Sequence, residues 1–268
     1  MGKIVVRDVS KIFDSGNRHG TEVHALDRVS LEIADQEIVC LVGPSGCGKS
    51  TLLNMVAGFD APTLGEVRVG DTEVRVAGPD RIVVFQTPAL FPWMTVRDNI
   101  AFGPRKRGVP ARQCREDAAR YMHAMGLDDF AGHYPYQLSG GLRQRVQIAS
   151  ALVNRPDVLL MDEPFVALDF QTRLGIQELL LEIWDEFQPT ILFITHDVEE
   201  AVFLADRLYV MTRRPGRVKE EIAVPFPKPR TFDIVTTPAF VAIKERVLYL
   251  IREELTAPRA FTPGRTSP

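Results

Sequence analysis

The chain has 268 residues, is 45% hydrophobic, and carries 32 Lys plus Arg against 35 Asp plus Glu, for a net charge of −3. That apolar content is ample for a real core, while the slightly acidic balance lacks the overall electrostatic footprint of a nucleic-acid binder. Three widely spaced cysteines, Cys40, Cys47 and Cys114, form no CxxC pair, which argues against a disulfide frame or zinc site and fits a reducing compartment.

The opening MGKIVVRDVS has no long apolar stretch and does not read as a secretory signal. No apolar run approaches the roughly eighteen residues needed to cross a bilayer. The expectation is a soluble protein that, if it works at a membrane, docks on something that spans it.

In chain order, residues 3–34 and 65–76 alternate apolar and polar positions around Gly-Asp turn signals, which predicts antiparallel strands in a side layer. The run EIVCLV at 37–42 reads as a buried strand, and 49–57 as the helix after a glycine loop. Further buried strands are predicted at 81–85, 157–161, 190–195 and 207–211, of the continuous apolar type found in parallel sheets. Helices are expected at 170–187 and at 197–205, the latter opening with the capping-box spacing Asp197…Glu200. Strands alternating with helices argue an α/β core. A mostly helical insert, about 95–153, interrupts the alternation. Past Val224 the composition shifts to the proline-rich PFPKPRTF, then a helix at 239–255 and a disordered end. The expected division is one main domain at 1–225, containing the helical insert, and a C-terminal extension at 226–268.

The chemistry concentrates at strand ends. Gly43-Pro44-Ser45-Gly46-Cys47-Gly48-Lys49-Ser50 satisfies GxxxxGK[ST] between a strand and a helix, where a phosphate cradle requires it. Backbone N–H groups can wrap the phosphates, Lys49 can reach the β- and γ-oxygens, and the Ser50 hydroxyl can ligate Mg²⁺. The strand VLLMD brings Asp162 and Glu163 to a carboxyl edge, where ligands of open α/β sheets bind. Adjacent residues on an extended chain face opposite ways, so Asp162 is assigned to the Mg²⁺ shell and Glu163 to the attacking water. His196, also at a strand end, can orient that water and touch the γ-phosphate. Gln86 ends the 81–85 strand, where it can sense metal and nucleophile together. His19, His24, His123 and His133 carry no such context and read as ordinary.

LSGGLRQRVQIASAL, from Leu138, is a helix with a bare front end. Ser139 is the predicted N-cap, Gly140 and Gly141 leave N–H groups open, and Leu142, Val146, Ala149 and Leu152 recur at helical spacing. Such an end attracts an anion. Since the glycine loop already surrounds one side of a triphosphate, this second end fits a nucleotide held by another copy, the contact occurring twice by two-fold symmetry.

These residues together resemble the ATP-binding cassette (ABC) ATPases, in family order and nearly to residue 225: Walker A at 43–51, Q-loop Gln86, signature 138–142, Walker B 158–163, D-loop 167–169 and switch His196. The resemblance implies a P-loop NTPase fold with a RecA-like α/β core, an antiparallel β layer and an inserted α-helical signature lobe. It implies ATP and Mg²⁺ as cofactors, with Thr51 within the phosphate loop. By it, Phe13 is the aromatic that stacks on adenine, Ser139 and Gly141 contact the γ-phosphate bound to the opposite subunit, and Asp169 crosses the dimer seam. Leu142 departs from the family's glutamine. Leucine packs but cannot hydrogen-bond nucleotide, so altered closed-dimer stability is expected.

A narrower likeness, carried by VFQTPALFPWMTVRDNIAFG and THDVEEAVFLADRLYVMTRRPGR, is to the ATPase subunits of nitrate, sulfonate, taurine and bicarbonate importers. It implies a separate transmembrane permease, an extracytoplasmic solute-binding protein acting indirectly, a homodimer on the cytoplasmic membrane face, and no nucleic-acid partner. The PALFPWM segment concentrates Leu90, Phe91, Trp93 and Met94, either for docking or to seal the insert. RKR at 105–107 and RRPGRVK at 213–219 read most simply as solvated turns. The rival readings are an ABC ATPase acting on nucleic acid and an exporter subunit. A GTPase lacks its NKxD motif.

Overall fold

Alternating apolar residues close the first layer, as the sequence predicts. In the computed structural model, which describes residues 2–14, 22–166, 168–228 and 230–256, β1 (Ile4–Asp14) and β2 (Glu22–Ile33) pair antiparallel from Ile4↔Ile33 to Asp14↔Glu22. The strand β3 (Ile38–Val42) follows and leads into α1 (Lys49–Ala57). Next come β4 (Leu64–Val69) and β5 (Thr72–Glu73), which join the first two strands in the order β2-β1-β4-β5.

The strand β6 (Arg81–Val84) precedes the helical insert, built from α2 (Val96–Lys106), α3 (Ala111–Ala124) and α4 (Gly140–Leu152). Thr95 starts the insert by capping the N–H of Asp98. Then β7 (Val158–Asp162), α5 (Phe170–Phe187), β8 (Thr190–Ile194), α6 (Val198–Leu204) and β9 (Arg207–Met211) complete the alternation. The main sheet runs β10-β9-β3-β8-β7-β6, where β10 (Val218–Ala223) is its one antiparallel member.

The all-apolar strands follow from covering both faces of this sheet. Ile38, Cys40, Val42, Leu159, Met161 and Phe193 face the core beneath the helices of the insert and the C-terminal half. Their neighbours Val39, Leu41, Leu160, Leu192 and Ile194 face the core shared with α1 and the antiparallel layer. A one-residue slip would exchange the two sets, so register is firmly specified.

Three expectations change. β10 was not anticipated: VKEEIA is charged and half exposed, as suits an edge strand. The capping box at Asp197 is only half formed. Asp197 Oδ1 accepts from the N–H groups of Glu199 and Glu200, but the Glu200 carboxylate turns inward to accept from Gln177 Nε2 at 2.9 Å. The run 213–219 is a solvated turn only in part: Arg214, Pro215 and Arg217 are exposed, but Gly216 is buried and Val218 and Lys219 already belong to β10.

The proline-rich stretch packs back on the core. Arg230 is 3% exposed and donates to the carbonyls of Phe203, Ala205 and Phe226, and Lys228 lies over the Trp184 ring and binds Asp206. The last helix, α7 (Pro238–Thr256), buries Phe240, Val247 and Leu250. The predicted disordered end beyond Thr256, His19 and the D-loop's Ala167 lie outside the described residues.

Candidate nucleotide-binding site

The glycine loop leaves β3 at Val42 and enters α1 at Lys49. Gly48 caps that helix at φ 102° with no side-chain cap, and a β-carbon there would lie 2.6 Å from Leu26 Cδ2. Only glycine permits this turn, and it leaves the first-turn N–H groups without a side-chain partner. Lys49 is 6% exposed, and its Nζ donates to the carbonyls of Gly43 (2.9 Å) and Pro44 (3.2 Å), with Cys47 Sγ at 3.7 Å.

Above this turn lies a cavity of about 380 Å³ that gathers Phe13, Ser45, Gly46, Gly48, Lys49, Ser50, Thr51 and Glu163. Gly43, Pro44 and Cys47 form the turn behind it and do not line it. Phe13 stands exposed near the end of β1, with Lys11 Nζ 4.9 Å from its ring centroid. Val23, Ala25 and Arg214 also line the cavity. Sequence reasoning missed all three. For Arg214 the available signal was a basic run just after a strand's carboxyl end.

At the end of β7, Asp162 Oδ1 accepts from Ser50 Oγ at 3.2 Å. Burial raises the Asp162 carboxyl above its ordinary value, the Glu163 charge adds to this, and Ser50 and Lys49 oppose it. Glu163 leaves the strand with φ 46°, a left-handed conformation that is uncommon for a non-glycine residue. Its N–H is held by the Ile194 carbonyl at 2.9 Å, and its Oε2 lies 3.2 Å from His196 Nδ1. Thus Asp162 and Glu163 do serve separate neighbours, Ser50 on one side and His196 on the other. Gln86 follows β6, whose Val84 pairs with Met161, so it emerges from the same sheet edge as Asp162 but does not line the cavity.

The signature stands apart. Ser139 caps α4, its Oγ accepting from the Leu142 N–H at 3.3 Å, and Leu142 itself is partly buried against the core. Ser139, Gly140 and Gly141 share a second cavity, about 420 Å³, with Asp169, and none of its lining residues belongs to the phosphate-loop cavity. Asp169 caps α5 by accepting from the Thr172 N–H at 3.0 Å, which holds its carboxyl below the usual range. Two buried glutamines of α4 reach the Q-loop. Gln144 Nε2 lies 3.5 Å from the Phe85 carbonyl, and Gln147, with its amide oriented to satisfy both atoms, pairs with the Phe85 C=O (3.1 Å) and N–H (3.0 Å).

His24 lies beside Glu22, His123 beside Asp128, and His133 against the Phe130 ring, and none of the three lines either cavity. Among the described residues no helix is long and apolar enough to cross a membrane.

The family model for the ABC transporter family matches residues 26–166, more than half of the chain. This chain is a member of that family. The ABC protein is 45% identical over 254 residues to an uncharacterized ABC transporter ATP-binding protein of Methanocaldococcus jannaschii, covering 94% of this chain and 92% of the relative. It is 44% identical over 253 residues to the nitrate import ATP-binding protein of Synechocystis, with 92% and 94% covered. It is 48% identical over 229 residues to a taurine import ATP-binding protein of Chromobacterium violaceum, with 84% and 88% covered. Among solved structures, a dimeric bacterial ABC transporter cassette superposes with a TM-score of 0.75 at 32% identity, covering 84% of this chain and 100% of that one. The fold is accordingly that of the P-loop NTPase cassettes, and the protein is an ATP-binding ATPase.

Proposed function

We propose that this ABC ATPase powers import of a small anionic solute, of the nitrate, sulfonate, taurine or bicarbonate kind, through a separate transmembrane permease. The observation that carries the dimeric mechanism is the separation of the phosphate-loop and signature cavities. A triphosphate in the first cavity meets no signature group of its own chain, so Ser139, Gly140 and Gly141 act on nucleotide held by a second copy, with Asp169 beside them at the seam. A dimeric cassette among the structural neighbours supports the same arrangement, and relatives named as nitrate and taurine import proteins support the direction of transport and the solute class.

Phe13 stacks on the adenine, while residues 43–51 cradle the phosphates. Ser50 and Asp162 present adjacent hard oxygen donors, the chemistry that Mg²⁺ takes, and Gln86 completes the set from the neighbouring strand. Mg²⁺ held by these residues would supply positive charge to offset that of the phosphates. Glu163 accepts a proton as water attacks the γ-phosphorus. The new O–P bond forms as the bond to the β–γ bridging oxygen breaks, leaving ADP and phosphate. His196, held at Glu163 Oε2, orients that carboxylate and the water. Opening and closing move the permease because the two forms contact it differently.

The permease site centres on Trp93, which is 69% exposed, while Leu90 packs on the core and Phe91 lies against Phe102 at 4.5 Å. Sealing and docking are therefore divided within one segment. Such a subunit sits on the cytoplasmic membrane face and meets the extracytoplasmic solute-binding protein only through the permease. The test is co-purification of the membrane partner, followed by ATPase assays of the reconstituted assembly with each anion. Stimulation by one of them supports the proposal. Full turnover by a strict monomer refutes the shared-nucleotide mechanism, and salt-sensitive DNA or RNA binding favours the nucleic-acid reading.

A further inference from the structure

The connection from Thr212 to Arg217 joins β9 to β10 and lies against the phosphate loop, fastened on several sides. The Gly216 N–H donates to the Ala25 carbonyl at 2.9 Å, and the Gly216 carbonyl accepts from the Asp27 N–H at 3.0 Å. Arg217 Nε donates to Asp27 Oδ2 at 2.9 Å, and Thr212 Oγ1 accepts from the Arg217 N–H at 3.0 Å. A β-carbon at Gly216 would lie 2.0 Å from the Cys47 carbonyl, so the turn approaches the phosphate loop as closely as backbone can. From the other side, Glu254 of α7 accepts from the Arg213 N–H at 3.1 Å.

This fastening directs Arg214 over the phosphate loop. Its Nε lies 3.4 Å from the Gly46 carbonyl, and its side chain lines the same cavity as Lys49, Thr51 and Phe13. Among the described residues no carboxylate pairs with it. A guanidinium carries five donors and suits planar, bidentate recognition of phosphate. Gly46 takes one of the five, which leaves a cation free on the wall of an anion cradle.

We propose that Arg214 binds the polyphosphate of the nucleotide from the solvent side, as a second cation opposite Lys49, and that the β9–β10 connection exists to present it. This rests on the reading of residues 43–51 as the ATP cradle. Arg214 stands 168 residues from Gly46 in sequence, so the fold alone brings the two together.

The test is titration of the full chain with Mg·ATP, Mg·ADP and inorganic tripolyphosphate. Arg214→Ala should raise Kd for all three by about 5–20-fold, the scale of a charge-assisted hydrogen bond at an accessible site. Arg214→Lys should recover part of the loss and Arg214→Gln little of it. Lys49→Ala serves as the reference for the cradle. If the wild type binds nucleotide and Lys49→Ala does not, yet Arg214→Ala binds within twofold of wild type, Arg214 has no such role while the cradle stands. A loss confined to ATP and ADP, with tripolyphosphate unaffected, also overturns the proposal, since the contact would then be to base or ribose. Failure of the wild type itself to bind Mg·ATP removes the cradle reading and this inference together.

Discussion

His196 Nδ1 lies 3.2 Å from Glu163 Oε2, so the imidazole at one strand end and the carboxylate at the next act as a pair. Glu163 leaves β7 in a left-handed conformation, φ 46°, with its N–H bound to the Ile194 carbonyl at the end of β8. Glu163→Gln keeps the shape and a hydrogen bond to His196 but cannot take a proton. The variant should bind Mg·ATP as wild type does and lose turnover by about 10²–10⁴-fold. Single-turnover hydrolysis measures this, and retained turnover would remove Glu163 from its role.

Burial pushes the Glu200 carboxyl up to about 7 from an ordinary value of 4.5, with the Gln177 and Thr195 hydrogen bonds opposing. Below about pH 4.5 the carboxyl is protonated in both folded and unfolded chains. Between about 4.5 and 7 the unfolded chain ionises first, so stability falls as pH rises through that window, by at most about 3 kcal/mol. Above the window the loss is constant. Glu200→Gln keeps the polar partner without the charge, so it should stabilise the protein at pH 8 and have little effect near pH 4.5. Urea unfolding at both pH values tests it, and an equal effect at the two would contradict the assignment.

Gln147 and Gln144 fasten α4 to the Phe85 backbone, one residue before Gln86. Gln147→Leu fits the volume but leaves the Phe85 N–H without its partner. Unfolding free energy should fall by about 1–3 kcal/mol, the cost of an unmade hydrogen bond. Coupling between signature lobe and Q-loop should weaken as well, seen as ATPase activity lost by more than nucleotide binding. Unchanged stability and unchanged rate together would show that the contact carries nothing.

Trp93 is exposed, and among the described residues its ring meets one other ring, that of Phe91, at 5.6 Å. Trp93→Ala should leave the subunit's stability within about 0.5 kcal/mol of wild type, as surface changes do. It should weaken association with the permease at least about tenfold, as loss of an aromatic anchor does. Equal pull-down of membrane partner by both proteins would place the docking surface elsewhere.

The sequence by itself determined the five parallel strands, the helical insert, the antiparallel layer and most of the polar residues that gather at the phosphate-loop cavity. Short apolar runs such as Ile38–Val42, rich in β-branched residues and followed by a glycine loop, suit a strand covered on both faces, and the glycine loop carries its chemistry within nine consecutive residues. Only the tertiary structure decided what depends on residues distant along the chain. β10 is too charged to announce itself as a strand, and its pairing with β9 is what forms it. Glu200 fits a capping box by spacing, yet Gln177 on another helix offers a buried partner and draws it inward. Arg214 is one basic residue in a basic run until Gly216 brings its turn against the phosphate loop. Local pattern encodes elements because their periodicity is short, whereas a charge acquires its role from whatever the fold brings within a few ångströms of it.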